Sequence, residues 1–536
     1  MDIQTDQGPV QLLARNLRLP PNLGIVLPIC RELHIARIVD ELCPMKWHEH
    51  LTHGQVVEAL ILHILQSEHR LPLYKLEEWA LNHNVGLLYQ CPSSAFNDDR
   101  VGDALDALVP PNSNRDDEAV EPIDAIEGEV VTCAIKRYDI DVQAIHWDLT
   151  NVTFSGAYEG SERIGPGWGH GTLNERQLQV SLHATGDGGI PVHYECLAGG
   201  AQQPPLAEDM LKHLQSRLGR SDLIVVADGK GISYDIVKAY RRAGAHFVSP
   251  LSPAQAYLDQ FAAVPLEQFR QSSYRSKSSP DVVYSYYPTT VDICPKKRQG
   301  QLLVDALLVH STGKQARERK VRRKKIDKAL KRLAQIESYL NKRLYFRVTY
   351  ARARLANAVP VAVREIVNYE LEGTDGEMKL RYWVDEQAQQ LAARNDGRYL
   401  LIHELPDSCE PEEPLLLYKR QPTIEARFRN LKNDLSVHPL WLKSETRIAA
   451  LLFVFILALI VFTLLERCSE RAGLDTEYYH KMTAREMLFR FGAMDVQMVQ
   501  ARGHPPSYEL HLSDEQQYIL QQLAFPDPAI YITQLR

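Results

Sequence analysis

Carboxylate side chains belong to strand-like apolar segments at two points of this sequence. Residues 223–229 (LIVVADG) form a short apolar run that leads into Asp228, and such a run is typical of a strand buried on both faces. Asp148 lies in a similar segment, IHWDLT. Burying a lone carboxylate costs free energy unless its charge is compensated. At the carboxyl end of a buried strand, the expected compensation is a ligand or a metal ion.

A third carboxylate, Glu425, lies in the first turn of a predicted helix that begins near Pro422, a residue suited to that position. Glu425 and Lys432 are seven residues apart, which places them two turns along one polar stripe of a regular helix. Three carboxylates can hold two hard divalent cations, and such a pair stabilises the attacking and leaving oxygens of a phosphoryl displacement. Alternatively, Glu425 could pair with Arg429 in a surface ion pair of little energetic weight.

The other polar residues of these segments also have purely structural interpretations. Asp228 could cap the end of its strand, and Lys432 could be a solvated lysine. His146 and His193 flank predicted strands and could be ligands, but the favoured interpretation is that they are core or sheet-face histidines. The order of the three carboxylates along the chain favours the catalytic interpretation of those three.

The predicted elements around the aspartates indicate an α/β domain with a mixed sheet. Residues 142–154, 176–185 and 190–197 are predicted strands, because they carry β-branched and aromatic residues or alternate apolar with polar positions. A helix, the strand that leads to Asp228, a second helix and a short strand follow in that order.

The composition indicates a globular protein of several domains. The chain has 536 residues, of which 45% are hydrophobic and 24% are charged, which excludes extended disorder. Its 8 cysteines are scattered without a CxxC pair, which excludes a zinc ribbon and a disulfide framework and fits a reducing cytoplasm. The first residues, MDIQTDQGPV, lack the features of a signal peptide. Residues 1–110 are predicted to be mostly helical, and the polar segment 110–122 is a predicted linker.

Residues 314–354 carry an unusual excess of positive charge. They contain 16 Lys and Arg against three acidic residues in a chain whose net charge is -7, and apolar residues recur at helical spacing among them. One interpretation is a solvated helix face. The favoured interpretation is a surface that follows nucleic-acid phosphates, because so large a local excess of positive charge stands out in a chain whose net charge is negative. The lysines expected to contact phosphates rather than bases are Lys324, Lys325, Lys328 and Lys331.

Residues 448–465 are apolar apart from Thr463 and reach the threshold length for a membrane span. A helix that is apolar on all sides can equally be the central helix of a large soluble core. We expect the core helix, because polar sequence lies on both sides of this single segment. A membrane-anchored protein is the alternative.

Five segments together resemble the DDE transposases of bacterial insertion sequences, in the IS-four-like superfamily with a ribonuclease-H-like catalytic core. These segments are HWDLTNVTF, GDGGIPVHYE, VVADGKGIS, NDGRYLLIHEL and YKRQPTIEARFRNLK. The segment FNDDRVGDALDALV resembles the end of the helical N-terminal domain of one subgroup. The resemblance extends from about residue 27 to residue 465.

The resemblance implies specific roles for several residues. Asp148, Asp228 and Glu425 match the catalytic, metal-binding triad, and the implied cofactor is Mg²⁺, for which Mn²⁺ can substitute. In the Tyr–Arg–Glu–Lys signature of the superfamily, Tyr418 and Lys432 match the DNA-contacting tyrosine and lysine. The signature arginine falls at Gln421, and the adjacent Arg420 is the candidate substitute. The segment 199–205, GGAQQPP, departs from the family's usual loop after the third strand.

The predicted fold is α/β, with a ribonuclease-H-like mixed-sheet catalytic domain that has an insertion before its last catalytic helix and follows a mostly helical N-terminal domain. The predicted parts are an N-terminal domain that binds DNA ends or pairs protomers (1–120), the first part of the core (121–251), the insertion with basic helices (252–395), the second part of the core (396–470) and a C-terminal tail (471–536).

The expected function is that of a cytoplasmic, nucleoid-associated transposase, which cleaves the ends of an insertion sequence and joins the 3′-hydroxyl to target DNA by two-metal phosphoryl transfer. The expected partners are double-stranded DNA, as terminal inverted repeats and target, and a second protomer in a homodimer on DNA, without a membrane. The alternative is a catalytically decayed, DNA-binding relic of a transposase.

Overall fold

The computed structural model describes residues 2–5, 8–45, 50–66, 72–110, 122–154, 161, 164–169, 172–198, 208–229, 232–251, 257–276, 278–295, 300–435, 444–475, 481–492, 494–501 and 506–533. The predicted loop 199–205 and nearly all of the predicted linker 110–122 lie outside these residues.

The described chain contains helices and strands throughout. The α-helices are α1 (Leu23–Glu32), α2 (Ile35–Leu42), α3 (His53–Ile64), α4 (Leu76–Asn82), α5 (Gly86–Tyr89), α6 (Asp98–Leu108), α7 (Pro122–Tyr138), α8 (Glu208–Leu218), α9 (Tyr234–Ala243), α10 (Thr312–Tyr339), α11 (Val348–Ala356), α12 (Glu386–Ala393), α13 (Glu413–Tyr418), α14 (Pro422–Arg429), α15 (Glu445–Ala472), α16 (Ala484–Arg490), α17 (Asp514–Gln522) and α18 (Ile530–Thr533). The strands are β1 (Asp2–Thr5), β2 (Gly8–Arg18), β3 (Ala144–Thr153), β4 (Gly165–Gly169), β5 (Thr172–Thr185), β6 (Pro191–Ala198), β7 (Ile224–Ala227), β8 (His246–Pro250), β9 (Arg270–Gln271), β10 (Tyr284–Asp292), β11 (Leu303–Ser311), β12 (Val367–Glu372), β13 (Lys379–Val384), β14 (Arg398–Glu404), β15 (Asp495–Ala501) and β16 (Ser507–His511).

The chain forms two compact units. The first unit consists of Met1–Ala227, Ala239–Ala245 and Arg420–Arg536. The second unit consists of Asp228–Lys238 and His246–Lys419. Because neither unit is continuous in sequence, each needs segments that are far apart along the chain.

The first unit contains a mixed sheet that matches the predicted α/β core. Strand β5 pairs antiparallel with β3 on one side and with β4 and β6 on the other. Strand β3 pairs in parallel with β7. Parallel strands need a crossover connection, and α8 provides it between β6 and β7. The predicted α/β fold with a mixed sheet is therefore confirmed.

Helix α15 is the centre of the first unit. Its apolar residues are buried on all sides, and it contacts α1, α3, α6, α7 and β6. Phe453 of α15 stacks on Tyr194 of β6, with ring centroids 6.1 Å apart. Among the described residues this is the one helix long and apolar enough to cross a membrane, and all of its apolar window lies buried within the protein. This burial agrees with the predicted core helix.

The first unit also has strands at its beginning that the predicted helical texture of residues 1–110 did not include. Strand β2 pairs with β1 and with β15, and β15 pairs with β16, so that the four strands form a separate antiparallel sheet. The remaining described elements of residues 1–110 are helical, as expected.

The second unit contains an antiparallel sheet and a smaller helical layer. Its sheet order is β8-β14-β11-β10-β9. Helix α10 buries one stripe, which includes Ile326, Leu333 and Ile336, against α11 and the hairpin formed by β12 and β13. The predicted helical spacing of the apolar residues beneath the positive charge is thus confirmed.

Candidate active site

Asp148 lies in β3, where successive side chains alternate between the two faces of the sheet. His146 and Asp148 therefore share one face, and Trp147 belongs to the other. Asp148 is partly exposed, and its carboxylate accepts a hydrogen bond from the Leu149 backbone N–H at 2.8 Å. Asp148 follows four buried residues of β3, and a partly exposed carboxylate at this position is suited to binding a ligand.

Asp228 directly follows β7, as the sequence predicts. The parallel pairing of β3 with β7 ends with Trp147 opposite Ala227, and each of the two aspartates is the next residue along its own strand. The backbone carbonyl of Asp228 accepts a hydrogen bond from the Ser249 hydroxyl at 3.0 Å. Four fully buried apolar residues precede Asp228, and its own side chain is partly exposed.

Gln421 fastens the start of α14 to the strand that carries Asp148. The Gln421 side-chain oxygen lies 2.8 Å from His146 Nδ1, and its amide donates to the Trp147 carbonyl at 3.4 Å. Gln421 is 7% exposed and His146 is fully buried. Burial lowers the pKa of His146 to about 4, so the imidazole is neutral near pH 7. Nδ1–H is then the donor to Gln421.

The burial of Gln421 and its contact with His146 favour glutamine over arginine at this position, to which the resemblance assigns the signature arginine. A guanidinium has no acceptor atom and would need to bring its charge into this buried position. The adjacent Arg420 is exposed. Sequence reasoning found the departure from the signature but missed the contact with His146, because the two residues are 275 positions apart.

Glu425 lies in the first turn of α14, as predicted, with its side chain exposed. The apolar face of the same helix is buried through Ile424 and Phe428. In the described part of the chain, Glu425 makes no ion pair with Arg429, so the surface-pair alternative has no support. The exposed carboxylate remains accessible to a ligand.

The helix that begins at Pro422 is not regular up to Lys432. Residues Asn430–Asp434 form a π-helical segment, so the predicted α-helical stripe from Glu425 to Lys432 is interrupted. Single π turns inside helices occur often at functional sites. Lys432 is partly buried, and burial lowers its pKa while the negative charge of Asp148 acts in the opposite direction. Lys432 therefore lies within electrostatic range of Asp148 in the first unit.

The glycine-rich turn between β5 and β6 helps to hold α14 in place. Arg427 of α14 donates to the Gly188 carbonyl at 2.7 Å and pairs with Glu466 of α15 at 2.6 Å. Gly189 has a φ of +64°, and a Cβ there would lie 2.5 Å from a carbon of Thr423. The glycine is therefore required both by the backbone conformation and by the close approach of α14.

Tyr418 is the last residue of α13, in the second unit, and it belongs to an aromatic cluster that sequence reasoning missed. The ammonium nitrogen of Lys419 lies 4.1 Å from the ring centroid of Tyr284, 5.3 Å from that of Tyr399 and 5.8 Å from that of Tyr418. Burial lowers the pKa of Lys419 to about 8. Among the described residues no carboxylate forms an ion pair with Lys419. This partly buried cation is thus held by aromatic faces, which attract cations.

The basic helix α10 presents all four predicted lysines to solvent: Lys324, Lys325, Lys328 and Lys331 are exposed. Other basic residues of the same helix are committed to internal ion pairs. Arg322 pairs with the buried Asp396, and Lys314 pairs with Glu318. The exposed lysines are therefore the part of this charge that remains accessible to an anionic partner.

Three further residues that could hold a metal ion come together away from the predicted triad. Among the described residues, potential ligand atoms of Asp124, His193 and His213 lie within 4.8 Å of one another. His146 and His193 are both buried.

Comparison with known proteins identifies the family. The profile of the transposase DDE domain matches residues 137–462, and that of a domain of unknown function, DUF4277, matches residues 18–115. No curated protein matches the chain. A piggyBac transposase in a synaptic complex with hairpin DNA is similar over 89% of this chain and 80% of that chain, but its 10% identity and TM-score of 0.39 are too low to support an inference. The first match covers more than half of the sequence and includes Asp148, Asp228 and Glu425, so the chain belongs to the transposase DDE domain family.

Proposed function

We propose that this protein is a metal-dependent DNA transposase that cleaves the ends of an insertion sequence and joins the resulting 3′-hydroxyl to target DNA. The observation that supports the proposal most is the position of the two aspartates. Each directly follows one residue of the last pair, Trp147 and Ala227, of the parallel strands β3 and β7. Family membership supplies the reaction class.

We propose Asp148, Asp228 and Glu425 as the ligands of divalent metal ions. Their donor atoms are carboxylate oxygens, which suit Mg²⁺ and also Mn²⁺, and all three side chains are at least partly exposed. Bound metal would supply charge stabilisation for the attacking and leaving oxygens of the phosphodiester.

The proposed reaction has two steps. In the first step, water attacks the phosphorus at the end of the element, and the bond to the 3′ oxygen breaks to leave a 3′-hydroxyl. In the second step, that hydroxyl attacks a target phosphodiester and displaces another 3′ oxygen.

The remaining residues of the proposed site would position DNA. Lys432, in electrostatic range of Asp148, would pair with a phosphate near the cut. Tyr418, Lys419 and Arg420 would contact the DNA end.

The exposed lysines of α10 would hold DNA through its backbone, because a lysine is a point charge suited to phosphates rather than to base edges. The proposed partners are the terminal inverted repeats and target DNA, bound by a homodimer in the cytoplasm near the nucleoid. The buried state of α15 supports a protein without a membrane anchor.

The test is incubation of the purified protein with labelled element ends and Mg²⁺, followed by mapping of any nick. We expect Asp148→Asn, Asp228→Asn and Glu425→Gln each to reduce cleavage by several orders of magnitude, because metal ions carry most of the charge stabilisation. DNA binding should persist, since phosphate contacts elsewhere supply affinity. Partial rescue of Glu425→Gln by Mn²⁺ is compatible with the proposal.

Glu372→Gln is the matched control, because Glu372 is an exposed glutamate on β12. It should cleave as the unchanged protein does. Normal cleavage by Glu425→Gln alongside two inactive aspartate variants would mean that the third carboxylate is elsewhere, with Glu404 and Glu410 as the next candidates. Binding without cleavage by the unchanged protein would favour the decayed relic.

A further inference from the structure

A cluster of titratable side chains lies on the side of the β3–β5–β6 sheet opposite to Asp148. The register places His183 of β5 opposite Trp147 and also opposite His193 of β6, so these three side chains share the face that Asp148 does not. Helices α7 and α8 complete the cluster. We call it the histidine–carboxylate cluster, and its members are Asp124, Glu127, His183, His193, His213 and Arg217.

Three members of this cluster converge as potential ligands. One ligand atom from each of Asp124, His193 and His213 lies within 4.8 Å of the other two. His213 Nε2 is 3.5 Å from an Asp124 oxygen, and the rings of His193 and His213 have centroids 5.0 Å apart. The three residues come from α7, β6 and α8, so their convergence is a product of the fold rather than of local sequence.

Glu127 prepares His193 to act as a ligand. The Glu127 carboxylate lies 2.8 Å from His193 Nδ1, which is the carboxylate–histidine arrangement that fixes the tautomer of metal-binding imidazoles. A proton on Nδ1, donated to Glu127, would leave the free lone pair on Nε2, and the Arg217 N–H that lies 3.0 Å from Nδ1 would then serve the Glu127 carboxylate alone. Among the described residues, Nε2 of His193 and Nε2 of His213 are buried and have no hydrogen-bond partner.

Arg217 sets the charge of the cluster. It pairs with both Asp124 and Glu127, and its guanidinium also lies 3.0 Å from His193 Nδ1. Arg217 engages one oxygen of Asp124, and the second oxygen of Asp124 is still available as a ligand. A cavity of about 240 Å³ beside these residues, lined also by Glu195 and Cys196, has room for a water molecule as a further ligand.

We propose that Asp124, His193 and His213 form a binding site for a zinc-class divalent metal ion, separate from the carboxylate site of the proposed transposition chemistry. Two imidazoles and one carboxylate suit zinc and the late first-row metals, whereas Mg²⁺ is usually bound through oxygen ligands. The ion joins α7 to β6 and α8 and so stabilises the first part of the sheet domain. This inference does not rest on the proposed function.

The test is metal binding to the full-length protein after treatment with a chelator. Co²⁺ is titrated in excess Mg²⁺ and followed by its visible absorption, and Zn²⁺ is then added to displace it. We expect about one equivalent of Co²⁺ to bind both to the unchanged protein and to Glu425→Gln. His213→Ala should bind at least ~100-fold more weakly, because even loss of an outer-shell partner costs 10–100-fold. Glu127→Gln should fall within that 10–100-fold range.

Two controls keep the outcome interpretable. His511→Ala removes an exposed histidine at the end of β16 and should bind Co²⁺ as the unchanged protein does. The His213 side chain is 36% exposed, so its truncation should leave the protein folded. Zn²⁺ should raise the thermal unfolding midpoint of the unchanged protein and of His511→Ala but not that of His213→Ala. No uptake of Co²⁺ by the unchanged protein, or equal uptake by His213→Ala, would overturn the proposal.

Discussion

Replacing Gln421 by leucine tests whether one buried hydrogen bond holds α14 against the strand of Asp148. Leucine has a similar size but cannot accept the proton of His146 Nδ1, which now lies 2.8 Å from the Gln421 oxygen. Leaving a buried donor without a partner costs ~1–3 kcal/mol, and the long 3.4 Å contact with the Trp147 carbonyl adds little. We therefore expect Gln421→Leu to lower the free energy of unfolding by ~1–3 kcal/mol.

Urea denaturation of the folded protein, with purified variants compared at pH 7, measures this loss. Arg420→Ala is the control, because Arg420 is the exposed neighbour and surface changes usually stay within about 0.5 kcal/mol. Replacing both partners, as in His146→Leu with Gln421→Leu, should cost less than the sum of the single changes, since no buried polar group is left alone. A loss below about 0.5 kcal/mol for Gln421→Leu, or strict additivity of the pair, would refute the reasoning.

Four further predictions concern the same chain. Replacing the exposed lysines of α10 (Lys324, Lys325, Lys328 and Lys331) by glutamine should weaken binding to every DNA sequence alike. The slope of log K against log salt should flatten by about 0.9 per lost contact. An unchanged slope would mean that α10 is not part of the DNA interface. Leu452→Asp should cost several kcal/mol and cause aggregation, because it buries an unpaired charge, whereas recovery of unchanged protein in salt-washed membranes would favour a membrane span. The pKa of Lys419 is lowered to about 8, so below that pH the folded protein carries the cost of a buried charge, and above it the neutral amine relieves that cost. If the ammonium binds phosphate, DNA affinity should fall as the pH rises through about 8. Lys419→Met should lack this pH dependence. Gly189→Ala should destabilise the protein more than Gly219→Ala in urea denaturation, since both have a φ of +64° but only Gly189 would meet Thr423; equal losses would contradict the proposed clash.

Periodicity and local chemistry predict the parts of this molecule that are determined by short stretches of sequence. The apolar run before Asp228 forms a buried strand, and the apolar segment of α15 forms a buried helix. Leu333 and Ile336, beneath the charges of α10, are buried. This burial could be predicted because the 3.6-residue repeat is clear in the sequence. The family resemblance then assigns candidate roles to residues that local patterns leave ambiguous.

Contacts between distant segments could not be predicted in this way. Strand β2 has a partner, β15, that lies more than 470 residues further along the chain. The first eighteen residues of the chain carry no local signal of that pairing. The aromatic surroundings of Lys419 come from β10, β14 and α13. The hydrogen bond of Gln421 depends on where α14 meets β3. In each case the partner is fixed by the packing of the whole unit rather than by neighbours in sequence.

The central position of α15 has a consequence for how the protein is made. Helices α1 and α3 are almost entirely buried, and α15, their partner in the same core, begins at Glu445. During synthesis at roughly 5–20 residues per second, the nascent apolar helices wait for roughly 20–80 s before that partner is made. During this interval the apolar surface that α15 later covers is exposed, and such surface is what chaperones protect from aggregation. A copy of the gene interrupted before the codon for Glu445 would leave this core open, and its product should be degraded rather than compete with the full-length protein for DNA.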